Sequence, residues 1–96
     1  MTYAFVQDAP ANRAIYEEIR TGLGDETPPG LISHVVIERE DGLRYIDVWE
    51  TEADWQRFRE ERLEPVLAKV LADHGIPFDP NEVVRDEVTV IDTWFG

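Results

Sequence analysis

The chain contains no cysteine. That removes disulfides, thiolate nucleophiles and cysteine-ligated zinc or iron–sulfur clusters at once, and makes a reducing, cytoplasmic location the expectation. Basic residues are scarce, 9 Lys and Arg against 21 Asp and Glu, for a formal net charge of −12. Phosphate backbones and anionic membrane surfaces would be repelled over most approaches, so neither nucleic acid nor membrane is an expected partner. No stretch approaches the ~20 apolar residues of a membrane span, and the first residues lack the basic region and apolar run of a signal peptide. There is no glycine-rich phosphate loop, no GxSxG elbow and no basic stripe. With two histidines and no HxxxH spacing, no metal site is expected, and no cofactor is called for. One histidine suffices as an axial ligand, which leaves haem open. Ninety-six residues allow one domain, 1–96, with a modest core.

What is present is best read outward from Tyr45–Leu71. Tyr45-Ile46-Asp47-Val48-Trp49 alternates like a strand, and Thr51 follows as an N-cap with Asp54 reaching back in a short-armed capping box. From Glu52 the apolar stripe Trp55, Phe58, Leu63, Val66, Leu67, Val70, Leu71 keeps helical spacing, with Arg59 and Arg62 on the same stripe. Pro65 predicts a bend near Glu61 to Glu64, and Gly75 a left-handed stop with His74 in the last turn.

Upstream, Tyr3 to Gln7 is β-prone, and Asp8 with Pro10 offers a helix start. Ile15, Ile19 and Leu23, with Tyr16 beside them, predict a helix over Ala11 to Thr21 ended by Gly22 and Gly24. Asp25 to Gly30, with Pro28-Pro29, is loop. Leu31 to Glu38 and Leu43 to Glu50 are strands joined by an Asp41-Gly42 hairpin. Phe78 to Asn81 is loop, and Val83 to Ile91, extending toward Trp94-Phe95, reads as a last strand.

The order strand, helix, strand, strand, helix, strand is that of an α+β, ferredoxin-like βαββαβ fold, with a four-stranded antiparallel sheet and two helices on one face. Both sheet faces are apolar. Leu31, Val35 and Ile37 oppose Ile32, Val36 and His34 in one strand, and Leu43, Tyr45 and Trp49 oppose Ile46 and Val48 in the next. The helices cover one face only, so a second copy of the chain is the simplest cover for the other, and a homodimer is expected.

At this point the chain resembles the dimeric α+β barrel superfamily, and within it the antibiotic biosynthesis monooxygenase-like proteins. Element order carries the resemblance over nearly the whole chain, and Tyr45-Ile46-Asp47-Val48-Trp49-Glu50-Thr51-Glu52-Ala53-Asp54-Trp55 carries it most specifically. The resemblance implies two sheets packed back to back as a dimeric α+β barrel, with a ligand cleft between sheet and helices in each subunit. It also implies activities that include cofactor-independent oxidation of aromatic or polyketide-like molecules. Many members carry a histidine about three residues beyond the position of Trp55, where this chain has Phe58.

Asp47, between Tyr45 and Trp49 on one strand face, is the best acid–base candidate, since a carboxylate there must be paired, hydrogen-bonded or protonated. His34, mid-strand, is either a cleft base or a hydrogen-bonded interior histidine. Tyr45, Trp49 and Trp55 either line a pocket for a flat aromatic ligand or are simply core. Arg59 and Arg62 either hold a substrate anion in the cleft or lay their stems on apolar surface and pair with nearby acids. Two classes follow: an enzyme acting on a small aromatic or polyketide-like substrate, or a non-catalytic ligand-binding or accessory dimer. A continuous pocket beside Arg59 and Asp47 favours the first; one plugged by Trp55 and Phe58 favours the second.

Overall fold

The computed structural model describes residues 2–9, 11–77 and 84–92. Its elements are β1 (Tyr3–Ala9), α1 (Arg13–Leu23), β2 (Leu31–Arg39), β3 (Gly42–Trp49), α2 (Glu52–Phe58), a π-helical turn (Arg59–Leu63), α3 (Glu64–Asp73) and β4 (Asp86–Val88). The strands form one antiparallel sheet in the order β2-β3-β1-β4, the ferredoxin-like arrangement expected from the element order.

β1 runs to Ala9, past the expected end at Gln7, because Asp8 has a use inside the sheet. It faces Arg44 on β3 and accepts two bonds from its guanidinium, Nε to Oδ1 at 2.7 Å and a terminal nitrogen to Oδ2 at 3.0 Å. The cap of α1 is therefore Asn12, not Asp8: its Oδ1 accepts from the Ile15 amide at 2.9 Å. The helix also continues through Gly22 rather than ending there. A Cβ at Gly22 would lie 2.7 Å from Val66 Cγ1, so this glycine lets α1 approach α3 closely. Ile15 and Ile19 bury against Val70 at that contact.

The hairpin loop is Glu40-Asp41, since Arg39 pairs with Gly42 and Gly42 already belongs to β3. At the other end of β2, Leu31 pairs with Trp49 while Ser33 pairs with Val48, leaving Ile32 as the extra residue of a β-bulge. The bulge reverses the alternation and corrects the expected faces: Leu31 joins His34 and Val36 on the helix side, and Val35 and Ile37 lie on the other with Ile46 and Val48.

Thr51 caps α2 as expected, its hydroxyl accepting from the Asp54 amide at 3.1 Å and donating to the Asp54 carboxylate at 2.8 Å. The bend expected from Pro65 takes the form of the π-helical turn, in which the Glu64 amide reaches back to Arg59 O. Proline has no N–H for the carbonyl one turn behind it and its ring crowds that carbonyl, so the helix widens just upstream. α3 ends in a Schellman motif at Gly75, φ +69°, with the Ile76 amide on Leu71 O at 2.9 Å and the Gly75 amide on Ala72 O at 3.0 Å.

β4 spans three residues, shorter than the strand expected over Val83 to Ile91, and among the described residues pairs with β1 alone. Pro10, the expected loop Phe78 to Asn81, Val83 and Trp94-Phe95 lie outside the described residues. Phe5, Trp49 and Trp55 make the sheet–helix core, and Leu63 joins it to the α1–α3 contact. The opposite face leaves Val35, Ile37 and Val88 exposed. Among the described residues no helix is long and apolar enough to cross a membrane.

Candidate functional site

A row of Cα partners crosses the sheet under the helices: His34 on β2, Asp47 on β3, Phe5 on β1 and Glu87 on β4. Asp47 is the single buried charged residue among those described, 4% exposed. A carboxylate so placed needs partners to offset its lost hydration. His34 Nδ1 lies 2.6 Å from its Oδ1, and the Trp49 indole N–H donates to Oδ2 at 3.2 Å. With Nδ1–H given to Asp47, Nε2 is left as the acceptor for the Tyr16 hydroxyl at 2.8 Å. Four side chains thus form one hydrogen-bonded chain, Trp49–Asp47–His34–Tyr16.

Aromatic faces hold the imidazole in that orientation. The Tyr45 ring stacks on His34 with centroids 6.2 Å apart and 16° between planes, and Tyr16 stacks at 6.1 Å and 21°. Burial, then the neighbouring Tyr16 and Asp47, push the Tyr45 phenol up to about 12. Burial raises Tyr16 as well, with Asp47 adding to the shift and Arg20 opposing it. Both phenols are protonated at neutral pH, and Tyr16 donates to His34 Nε2.

Two guanidinium groups stand beyond Asp47. Arg59, in the π-helical turn, has carboxylates of Glu60 at 3.8 Å and Glu64 at 3.7 Å, within ion-pair range but too far to hydrogen-bond. Its buried Nε has no hydrogen-bond partner among the described residues. Arg85, just before β4, lies over the faces of Trp55 (5.0 Å) and Phe5 (5.7 Å), and its Nε is likewise buried and unpartnered. Burial and the repulsion of Arg59 pull the Arg85 guanidinium below its ordinary range, against the attraction of Tyr3, Glu64 and Asp47.

Arg62 differs. Its guanidinium donates to Leu23 O and Glu26 O, both at 3.0 Å, and lies 5.4 Å over the Phe58 ring. Its donors clasp the end of α1 to the π-helical turn, and among the described residues it pairs with no acid.

These residues border one cleft of about 510 Å³ between helices and sheet. His34, Tyr45, Asp47, Trp49, Trp55, Arg59 and Arg62, the candidates from the sequence, all line it, and so do Tyr16 and Arg85, which the sequence reading did not single out. Tyr16 had a visible signal, a phenol beside the apolar stripe of α1. Arg85 had a fainter one, being the sole cation after Lys69. Trp49 and Trp55 line it while only 1% and 4% exposed, packed with Phe58 in one aromatic cluster. Among the described residues no three His, Asp or Glu side chains cluster closely enough to hold a metal.

No family model matches the chain, and no curated protein matches it. Among solved structures it is similar to a candidate antibiotic biosynthesis monooxygenase from Chloroflexus aurantiacus J-10-fl, with a TM-score of 0.62 and 14% identity over 99% of this chain and 98% of that one. It is similar also to Rv0793 from Mycobacterium tuberculosis, with a TM-score of 0.62 and 16% identity over 97% of this chain and 98% of that one. At such identities the likeness establishes a shared fold.

Proposed function

We propose that the protein is a cofactor-independent monooxygenase acting on a small aromatic or polyketide-like molecule, with His34 as the base. The observation that carries this reading is the hydrogen-bonded chain Trp49–Asp47–His34–Tyr16 opening on an apolar cleft. A carboxylate on Nδ1 holds the imidazole in one tautomer and stabilises the imidazolium formed when Nε2 takes a proton. A substrate hydroxyl or activated methylene displaces the Tyr16 hydroxyl from Nε2, and Tyr16 and Tyr45 then stand as donors to the oxygen that gains charge. Chemistry of this type needs no bound redox group. An activated CH₂ loses a proton to His34, the electron-rich anion reacts with dioxygen, and the methylene ends as C=O. One oxygen atom is retained and the other leaves as water, the substrate supplying all four electrons. The name of the Chloroflexus structural neighbour supports the choice of oxidation among the reactions that begin with proton removal.

The test is oxygen uptake with anthrone, a tricycle carrying such a methylene. Wild type is expected to consume oxygen with one ketone formed per dioxygen, and His34→Asn and Asp47→Asn to lower the rate by about a hundredfold or more. Uptake equal to the buffer rate in all three proteins overturns the reading.

One observation favours a second reading. Nε2 of His34 already has the Tyr16 hydroxyl as its partner, which suits a fixed polar wall in a non-catalytic binding protein. Saturable binding of aromatic ligands without turnover is the expected outcome in that case. In either case we propose a homodimer joined through the outer sheet face, where Val35, Ile37 and Val88 are 46%, 42% and 44% exposed.

A further inference from the structure

We propose that Arg59 and Arg85 form a carboxylate-binding fork, so that the cleft takes a flat, mostly apolar acid whose carboxylate sits there while its body runs across the sheet toward Tyr16 and His34. This rests on the reading of the cleft as the functional site and adds a substrate class to it. Two cations line the same cleft and each carries a buried Nε with no hydrogen-bond partner among the described residues, an arrangement that is costly unless an acceptor arrives from outside. Among the described residues no acid fills the role: Glu64 lies 3.7 Å from Arg59 Nε, too far to hydrogen-bond, and Asp47 is committed to His34 and Trp49.

The chemistry of the surroundings selects the anion. Glu64, 3.7 Å from Arg59 Nε, already offsets one of the two positive charges, so the charge left at the pair matches a monoanion better than a phosphate dianion. The Arg85 guanidinium is held against the faces of Trp55 and Phe5, leaving its edge for a planar acceptor. The sheet sets the length. His34, Asp47, Phe5 and Glu87 occupy four adjacent strands, so the row spans three strand spacings, on the order of 14 Å. Arg85 enters two residues before Glu87. Side chains reach inward from both ends, and an acid of two or three fused rings fills what remains.

Isothermal titration with a hydroxynaphthoate bearing its hydroxyl and carboxylate at opposite ends, and with the matching neutral naphthamide, tests this. In wild type the acid is expected to bind at least tenfold more tightly than the amide. Arg59→Met and Arg85→Met are each expected to weaken the acid by roughly tenfold to a hundredfold and to leave the amide unchanged. Arg59→Lys and Arg85→Lys keep the charge but lose the fork, and fall between. These lysine variants also decide the matter if a methionine variant does not fold. Equal affinity of acid and amide in wild type, or parallel losses of both in the variants, overturns the fork and leaves the cleft as a ligand site. Absence of binding by either compound at millimolar concentration overturns fork and cleft together.

Discussion

His34 and Asp47 are Cα partners on neighbouring strands, and the 2.6 Å contact between Nδ1 and Oδ1 is a direct product of that register. The bulge at Ile32 makes it possible, because without the extra residue His34 would point to the outer face while Asp47 remained under the helices. A small irregularity at one end of β2 thereby assembles the polar centre of the cleft.

Asp47 accepts from two donors at once, the buried Trp49 indole and the partly exposed His34 ring, so Asp47→Ala should leave the Trp49 indole N–H and the His34 ring without this acceptor. We expect a loss of about 2–4 kcal/mol in urea denaturation, with Asp47→Asn losing less because the amide oxygen still accepts one bond. A midpoint unchanged in Asp47→Ala would mean that the carboxylate is not buried.

Tyr45 carries a pH signature. Its folded pKa of about 12 lies above the ordinary tyrosine value of about 10, so above pH 10 the unfolded chain releases a proton that the folded chain keeps. Stability is therefore expected to be undiminished below pH 10 and to fall between pH 10 and about 12, by about 1–2 kcal/mol after allowance for solvent screening. Tyr45→Phe should flatten that slope. Ultraviolet titration of tyrosinate together with denaturation across the window checks it, and a slope identical in both proteins counts against it.

Arg62 is expected to affect stability and not ligand affinity. Arg62→Met removes the bonds to Leu23 O and Glu26 O, and we expect a loss of about 1–3 kcal/mol with affinity for aromatic acids within twofold of wild type. The opposite pattern, lower affinity at constant stability, would make Arg62 a ligand contact.

The exposed apolar outer face predicts self-association. Wild type should scatter light as a dimer at micromolar concentration, and Val35→Lys combined with Ile37→Lys should shift it to monomer while leaving the fold recognisable by circular dichroism. Wild-type protein that stays monomeric at that concentration rules the interface out.

Much of the molecule was legible in the chain because it depends on local rules. The element order, the Thr51 cap, the break upstream of Pro65 and the Gly75 stop each follow from a few neighbouring residues, and hence so does the ferredoxin-like fold. The same applies to the cleft-lining residues of β3 and α2, whose spacing alone puts them on one face. Contacts between distant segments were not legible. Asp8 is a strand residue and not a cap because Arg44 lies across from it, and the faces of β2 were misread because a bulge leaves no mark in a period-two pattern. Tyr16 meets His34 across 18 residues of chain, Arg62 meets two carbonyls more than thirty residues away, and Arg85 comes to share a cleft with Arg59 because β4 docks beside β1. Local chemistry determined the elements and the types of side chain available. Their meeting into a relay at one end and a pair of cations at the other was decided by strand register and helix docking, which act over distances that no window of sequence spans.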